Sequence, residues 1–132
     1  MEKIYVTTHS QAEFIDITQE VNEILEKSKV KDGICCVYVP HTTAAVTINE
    51  NVDPSVRKDI LHELNRLVPW NGHYTHTEGN AAAHIKSTLV GSSVSVPVSS
   101  GKLALGTWQG IYFCEFDGPR RREVFIKIIK RE

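Results

Sequence analysis

Histidines are concentrated in one short polar stretch of the chain, residues 71–86, NGHYTHTEGNAAAHIK. His73, His76 and His84 lie within it, half of the six histidines of the protein. Neutral imidazole is the commonest protein ligand for zinc and similar ions, and it also transfers protons near neutral pH. The stretch therefore indicates a metal site or acid–base chemistry. Taken alone, it is equally consistent with a surface loop that is merely rich in histidine.

The residues around His84 predict a short helix. Asn80 is a candidate N-cap, the alanines 81–83 are good helix formers, and Gly91 is a typical helix end. This helix would place His84 in its first turn and His76 in the preceding loop. Both imidazoles would then lie near a helix N-terminus, whose backbone N–H groups also attract anions.

Two further groups of polar residues lie between apolar runs: residues 41–43 with 49–54, and residues 106–110 with 115 and 117–121. Their hydroxyl and cationic side chains, with Lys86, are candidate phosphate binders, because hydroxyls, a lysine charge and an arginine fork are the usual partners of phosphate. We assign this role to Thr42, Thr43, Lys86, Thr107, Gln109 and Arg120. For Lys86 and Arg120 the alternative is a solvated surface charge.

Glu115 falls on a strand face that is otherwise apolar, with Ile111 and Phe113. A carboxylate in such a position is either paired or functional. We predict that Glu115 reaches the same cavity as the histidines, as a general base or as the partner of a metal-bound histidine or water. The alternative is an ion pair with Arg120 or Lys86 that serves stability alone.

The elements that must position these residues follow one another with short links and no crossover helices. This order favours antiparallel pairing and an α+β fold: a single domain, 1–132, with a curled antiparallel sheet or sandwich and helices packed outside. We predict about seven strands and three helices. The strands are 3–8, 12–17, 34–39, 44–49, 93–98, 108–116 and 123–130, the first two forming a possible hairpin. The helices are 19–28 with Thr18 as N-cap, 54–68 with Asp53 as N-cap, and 81–90.

Composition excludes several classes of partner. The formal net charge is −1 and the longest basic run is three residues, so we expect no nucleic-acid partner. No apolar run approaches the length of a signal peptide or of a membrane span, and we expect no membrane partner. Cys35, Cys36 and Cys114 form no zinc or disulfide pattern, which suits buried thiols of a cytoplasmic protein.

Three segments carry a family resemblance: HTTAAVTINENVDPSVR, HTEGNAAAHIKSTLVG and GTWQGIYFCEFDGPRRR, which together span residues 41–122. The chain resembles the YjbQ-like family, also called secondary thiamine-phosphate synthases. The resemblance implies a homotrimer with an α+β fold and weak thiamine-phosphate synthase activity. It also implies a histidine-centred metal site formed by His41, His76 and His84. Without the resemblance, His41 is best interpreted as a turn histidine bonded to the backbone.

From these residues and the resemblance we expect a divalent metal, zinc, bound by His41, His76 and His84, with Glu115, His41 and His84 as catalytic groups. The ligand would be a phosphorylated small molecule. In the first hypothesis the protein is an enzyme that joins a pyrimidine diphosphate to a thiazole phosphate. In the second it is a metal- or phosphate-binding accessory protein whose synthase activity is incidental. Strand 108–116 is apolar on both faces and needs cover, which adds support for the trimer.

Overall fold

The computed structural model describes all 132 residues, which form eight strands and three helices. The strands are β1 (Glu2–Thr7), β2 (Glu13–Asp16), β3 (Gly33–Tyr38), β4 (Ala44–Glu50), β5 (Ser93–Ser99), β6 (Lys102–Leu103), β7 (Gln109–Glu115) and β8 (Arg121–Lys130). The helices are α1 (Thr18–Ser28), α2 (Pro54–Leu67) and α3 (Ala81–Val90). None of these helices is long and apolar enough to cross a membrane.

The strands form two antiparallel sheets. A five-stranded sheet has the order β1-β8-β3-β5-β6, and a three-stranded sheet has the order β2-β7-β4. The main core lies between them, where Val37 and Ile126 of the larger sheet meet Phe113 of the smaller one. The predicted α+β class, with a curled antiparallel sheet and three helices in one domain, is confirmed. The strand that the prediction omitted is β6, only two residues long.

Strand β7 is buried on both faces by its own chain. Ile111 and Phe113 face the main core, whereas Tyr112, Cys114 and Phe116 belong to a second, smaller cluster that includes Ala83 of α3. The expectation that this strand needs cover from other subunits was therefore wrong. The double burial explains why β7 reads as a continuous apolar run rather than an alternating one.

The predicted hairpin between the first two strands is not formed. β1 pairs with β8, with Tyr5 opposite Glu123, while β2 pairs with β7 in the other sheet. The link between β1 and β2 crosses from one sheet to the other and is held by Glu13, whose carboxylate accepts the backbone N–H groups of His9 and Ser10 at 2.6 and 2.7 Å. Local alternation identified both strands, but pairing depends on residues about a hundred positions away.

Two of the three predicted helix caps are different in the structure. Asp53 caps α2 as expected, with its side chain accepting the N–H of Ser55. Thr18 is the first residue of α1 instead, and its Oγ1 accepts the N–H of Ile111 at 2.8 Å. Asn80 occupies the N-cap position of α3, but its Nδ2 donates to Asp117 at 2.9 Å. Thr18 thus uses its hydroxyl for a tertiary bond, and the amide of Asn80 is held by Asp117 while its Oδ1 caps nothing and has no partner.

Candidate functional site

His41 and His84 line the same surface cavity, which has a volume of about 390 Å³. One wall is the link between β3 and β4, with His41 and Thr42, and the other is α3 from His84 onward. The remaining lining residues are Ala44, Ser87, Thr88, Gly91 and Ser92, so the wall is rich in hydroxyl and imidazole groups and carries no Asp, Glu, Lys or Arg. The cavity lies against the C-terminal part of α3. We expected backbone N–H groups at the N-terminus of α3 to attract an anion here. They do not face this cavity, and the C-terminal end of a helix carries partial negative charge.

The ring of His41 is fixed by the backbone of β8. Its Nε2 accepts the N–H of Glu123 at 3.0 Å, which is the backbone-bonded turn histidine that the sequence alone favours. Burial and then the nearby guanidinium of Arg122 lower the pKa of His41 below its usual range. A bond accepted at Nε2 also requires the neutral imidazole, whose single proton is then on Nδ1.

His76 stands next to His84, with the ring centroids 5.3 Å apart and the rings edge to face. No group of three His, Cys, Asp or Glu side chains is close enough together to hold a metal ion. The three histidines as arranged here do not form a zinc site, because one ring nitrogen of His41 is bonded to the backbone and the other carries the proton of the neutral ring. The pair His76 and His84 is the part of the predicted metal site that the structure brings together.

Glu115 is fully buried and is paired with Arg122, not with Arg120 or Lys86. The Nε of Arg122 donates to it at 2.9 Å, Thr8 Oγ1 donates at 2.7 Å, and the backbone N–H of Asp117 donates at 3.1 Å. Burial alone would raise the pKa of Glu115, but these donors together lower it below its usual value. Glu115 lies behind the cavity wall rather than on it, as an ionised member of a buried network.

Among the predicted phosphate binders, only Thr42 lines the cavity. Thr43 is buried, and its Oγ1 accepts from Arg122 at 2.9 Å. Arg120 is exposed and donates to the carbonyl and carboxylate of Asp117 at 2.9 and 3.0 Å. Neither side chain is free to bind a ligand in the cavity without giving up these bonds.

Lys86 points away from the cavity, towards α2. It is buried, its Nζ donates to Asn65 at 2.6 Å, and it lies 6.0 Å from the centroid of the Phe116 ring. Burial lowers its pKa. The structure places the one lysine of α3 on the opposite side of the helix from His84.

Thr107 and Gln109 lie at the other end of the molecule from the cavity. Gln109 opens β7 and pairs with Glu50, whereas Glu115 closes the same strand beside Ala44. Six residues of extended strand span about 20 Å. Gln109 instead stabilises its own turn, accepting the N–H of Gly106 at 2.8 Å. A single chain therefore does not bring these two residues to the histidines.

Two residues of the site were not predicted. Arg122 carries the buried ion pair, and the signal for it was present: Arg122, Val124 and Ile126 alternate along β8 and share its buried face. Ser87 lines the cavity, and no local pattern distinguishes it from other serines. Only its position three residues after His84, on the same side of α3, relates it to the site.

The fold and the cavity define a class: a small α+β sandwich protein with a histidine-lined polar cavity beside a buried ion pair. A family sequence model described as UPF0047 protein YjbQ-like matches residues 2–131. The chain belongs to this family.

The sequence similarity to known relatives extends over nearly the full length of the chain. The UPF0047 protein MJ1081 of Methanocaldococcus jannaschii is 56% identical, over 96% of this chain and 92% of that protein. The UPF0047 protein YugU of Bacillus subtilis is 49% identical, over 98% of both. The crystal structure of a YjbQ/UPF0047 family protein from Clostridium acetobutylicum superposes with a TM-score of 0.96 at 53% identity, covering 98% of this chain and 100% of that one. These names state no activity.

Proposed function

We propose that the cavity between His41 and His84 binds a phosphorylated small molecule and that the protein is an enzyme which moves a proton to or from that ligand. The observation that supports this is the lining itself, in which two imidazoles and four hydroxyl side chains surround about 390 Å³ with no carboxylate among them. Hydroxyls and imidazole N–H groups are hydrogen-bond donors for phosphate oxygens, and imidazole is the commonest acid–base group near neutral pH. His84 is the acid–base residue in this proposal.

The particular reaction to test first is the one that the family resemblance implies. A thiazole phosphate nitrogen forms a new bond to the methylene carbon of a pyrimidine diphosphate, and the bond from that carbon to the diphosphate oxygen breaks. Inorganic pyrophosphate leaves with the electron pair, and His84, as the general acid, would give its proton to the departing oxygen. Hydrogen bonds from the cavity to the departing oxygens would stabilise the negative charge that develops there.

The decisive experiment measures binding and turnover on the same preparations. We expect calorimetry to show binding of pyrophosphate to the wild type, and His84→Ala to weaken binding and to lower thiamine phosphate formation by at least about a hundredfold. His73→Ala is the matched control, because His73 lies in the same histidine-rich stretch but not at the cavity. Binding without turnover in the wild type would favour the accessory-protein alternative, and absence of binding would contradict the proposal.

A zinc ion remains part of the proposal in a narrower form, held by His76 and His84. Elemental analysis is expected to find metal in the wild type and to lose it in His76→Ala and in His84→Ala, with His41→Ala unchanged. The proton transfer assigned to His84 uses the metal-free imidazole, because a ring nitrogen that is bound to a metal cannot accept a proton. A chelator that removes the metal without changing turnover would separate metal binding from catalysis.

We also propose a homotrimer in the cytoplasm. The three cysteines are all free thiols, two of them buried, which suits a reducing compartment. The outward side of the five-stranded sheet carries large apolar side chains that are about half exposed, and such patches commonly mark contacts between chains. The resemblance supplies the number of subunits.

A further inference from the structure

We propose that His41 and Ser87 each donate a hydrogen bond to a ligand bound in the cavity, and that His41 is a ligand-binding residue rather than a metal ligand. The chemical class of the ligand, a phosphate or phosphate ester, rests on the function proposed above. The assignment of His41 as a donor rests on its own hydrogen bond and stands independently.

The donor character of His41 follows from how its ring is held. Nε2 accepts the backbone N–H of Glu123 at 3.0 Å, so the proton of the neutral ring must be on Nδ1. Nδ1 has no partner within the chain, and it is not among the buried side-chain atoms that lack one. It is therefore reachable from solvent, on a residue that lines the cavity. A backbone bond that fixes one nitrogen makes the other a dedicated donor.

Ser87 supplies the second donor. Only two side-chain N or O atoms in the chain are buried without any hydrogen-bond partner, and one of them is the Oγ of Ser87. Its helical neighbour Thr88 does what hydroxyls in helices usually do and donates to the carbonyl of His84, at 2.8 Å. Ser87 makes no such bond, and only 9% of its surface is exposed. The Oγ atom is closed to solvent in this rotamer, and rotation about the Cα–Cβ bond would turn the unpartnered hydroxyl towards a ligand in the cavity.

The surroundings decide what the ligand atom must be. The lining contains no carboxylate, and the nearest one, Glu115, is occupied by Arg122 and Thr8. The free nitrogen of His41, Nδ1, can only donate, and the hydroxyl of Ser87 has a proton that nothing in the chain accepts. The complementary group is an acceptor oxygen, and a phosphate oxygen carries the negative charge that makes such bonds strong.

Binding measurements on paired variants test the two donors. With pyrophosphate as the probe, Ser87→Ala is expected to weaken binding by about tenfold while leaving the melting temperature unchanged or higher, because the variant removes an unsatisfied group. The matched control is Ser95→Ala, an exposed serine of β5 that does not line the cavity, with less than about a twofold effect. Equal affinity of Ser87→Ala and wild type would overturn the role of Ser87.

At position 41 the variants His41→Asn and His41→Asp, whose side chains have the same shape, separate a hydrogen-bond donor from an acceptor. In His41→Asn the amide nitrogen can occupy the position of Nδ1, so binding should be retained better than in His41→Ala; His41→Asp places an acceptor there and should abolish binding. Nitrogen NMR of labelled wild type should show His41 with its proton on Nδ1. A proton on Nε2 would overturn the donor assignment. Failure of the wild type to bind pyrophosphate or phosphate would instead overturn the proposed function and the ligand class, without changing the tautomer.

Discussion

The charge state of two polar side chains at the site, Glu115 and His41, depends on a neighbouring charged group. Glu115 and His41 both lie near the buried Arg122, whose positive charge biases the ionisation of each in a different direction. The guanidinium keeps the carboxylate charged and helps to keep the imidazole neutral. Both effects follow from placing one permanent positive charge in a low-dielectric interior.

The first prediction concerns this ion pair. Arg122→Met is expected to lower the free energy of unfolding by about 3–5 kcal/mol, because it leaves Glu115 charged and buried without its partner. Adding Glu115→Leu to Arg122→Met should recover much of the loss, since the variant no longer buries a charge. Urea denaturation at fixed protomer concentration measures both. The control is Arg120→Met, which removes the ion pair between Asp117 and the exposed side chain of Arg120 and should cost less than about 1 kcal/mol. Equal losses of stability in Arg122→Met and Arg120→Met would refute the argument.

The second prediction concerns pH. The pKa of His41 is lower in the folded protein than its ordinary value near 6.5. The unfolded chain therefore binds the proton more readily, and stability should fall as the pH falls below about 6.5. The difference in melting temperature between wild type and His41→Gln should shrink or reverse from about pH 7.5 to about pH 5.5. His62→Gln, at an exposed position of α2, is the matched control; parallel behaviour of the two variants would rule out His41 as the cause.

Helix α3 shows how one element serves two environments. Its side with His84 and Ser87 lines the cavity, and its side with Lys86 packs against α2 and Phe116. Residues four and three apart share a side of a helix, whereas Lys86 is two positions from His84 and falls on another. This separation places Lys86 outside the cavity although it lies within the histidine-rich segment.

The third prediction follows from that geometry. Lys86→Met should leave pyrophosphate affinity within about twofold of wild type, because the ammonium does not reach the cavity. Stability should change by less than about 1 kcal/mol or increase, because methionine fills the same space without burying a charge that has no carboxylate partner. Calorimetry and urea denaturation measure the two quantities. A large loss of affinity would restore Lys86 as a phosphate anchor.

At the scale of the whole molecule, the outward side of the five-stranded sheet carries several large apolar side chains that the chain leaves uncovered. Buried Val37 and Ile126 point from these strands into the core, and the intervening residues point outward. The outward apolar residues that are about half exposed are Tyr5, Ile34, Tyr38 and Ile129. Helix α2 carries another uncovered apolar surface. Its apolar stripe ends in the exposed Leu67, and no residue of the helix is buried.

The fourth prediction assigns the trimer contact to the sheet. Light scattering should give a trimer for the wild type at micromolar concentration and smaller species for the double variant Ile34→Glu/Tyr38→Glu, since a charge at each position opposes burial. Leu67→Glu, on α2, is the matched control and should remain trimeric. The opposite pattern would move the interface to α2, and a monomeric wild type would contradict the trimer itself.

The sequence by itself determined the elements and the fold class, because both depend on local periodicity. The alternation in β3 and β8, the apolar stripe and Asp53 cap of α2, and the glycine that ends α3 are all readable within a dozen residues. Of the two histidines that line the cavity, His84 was predicted from the histidine-rich stretch, whereas His41 was assigned only through the family resemblance. Partners far apart in the chain were not: the sheet that each of β1 and β2 joins, the pairing of Glu115 with Arg122, and the bond from Glu123 to His41 across 82 residues. Only the tertiary structure decided these, because a hydrogen bond depends on where two atoms come to lie and not on the residues beside them.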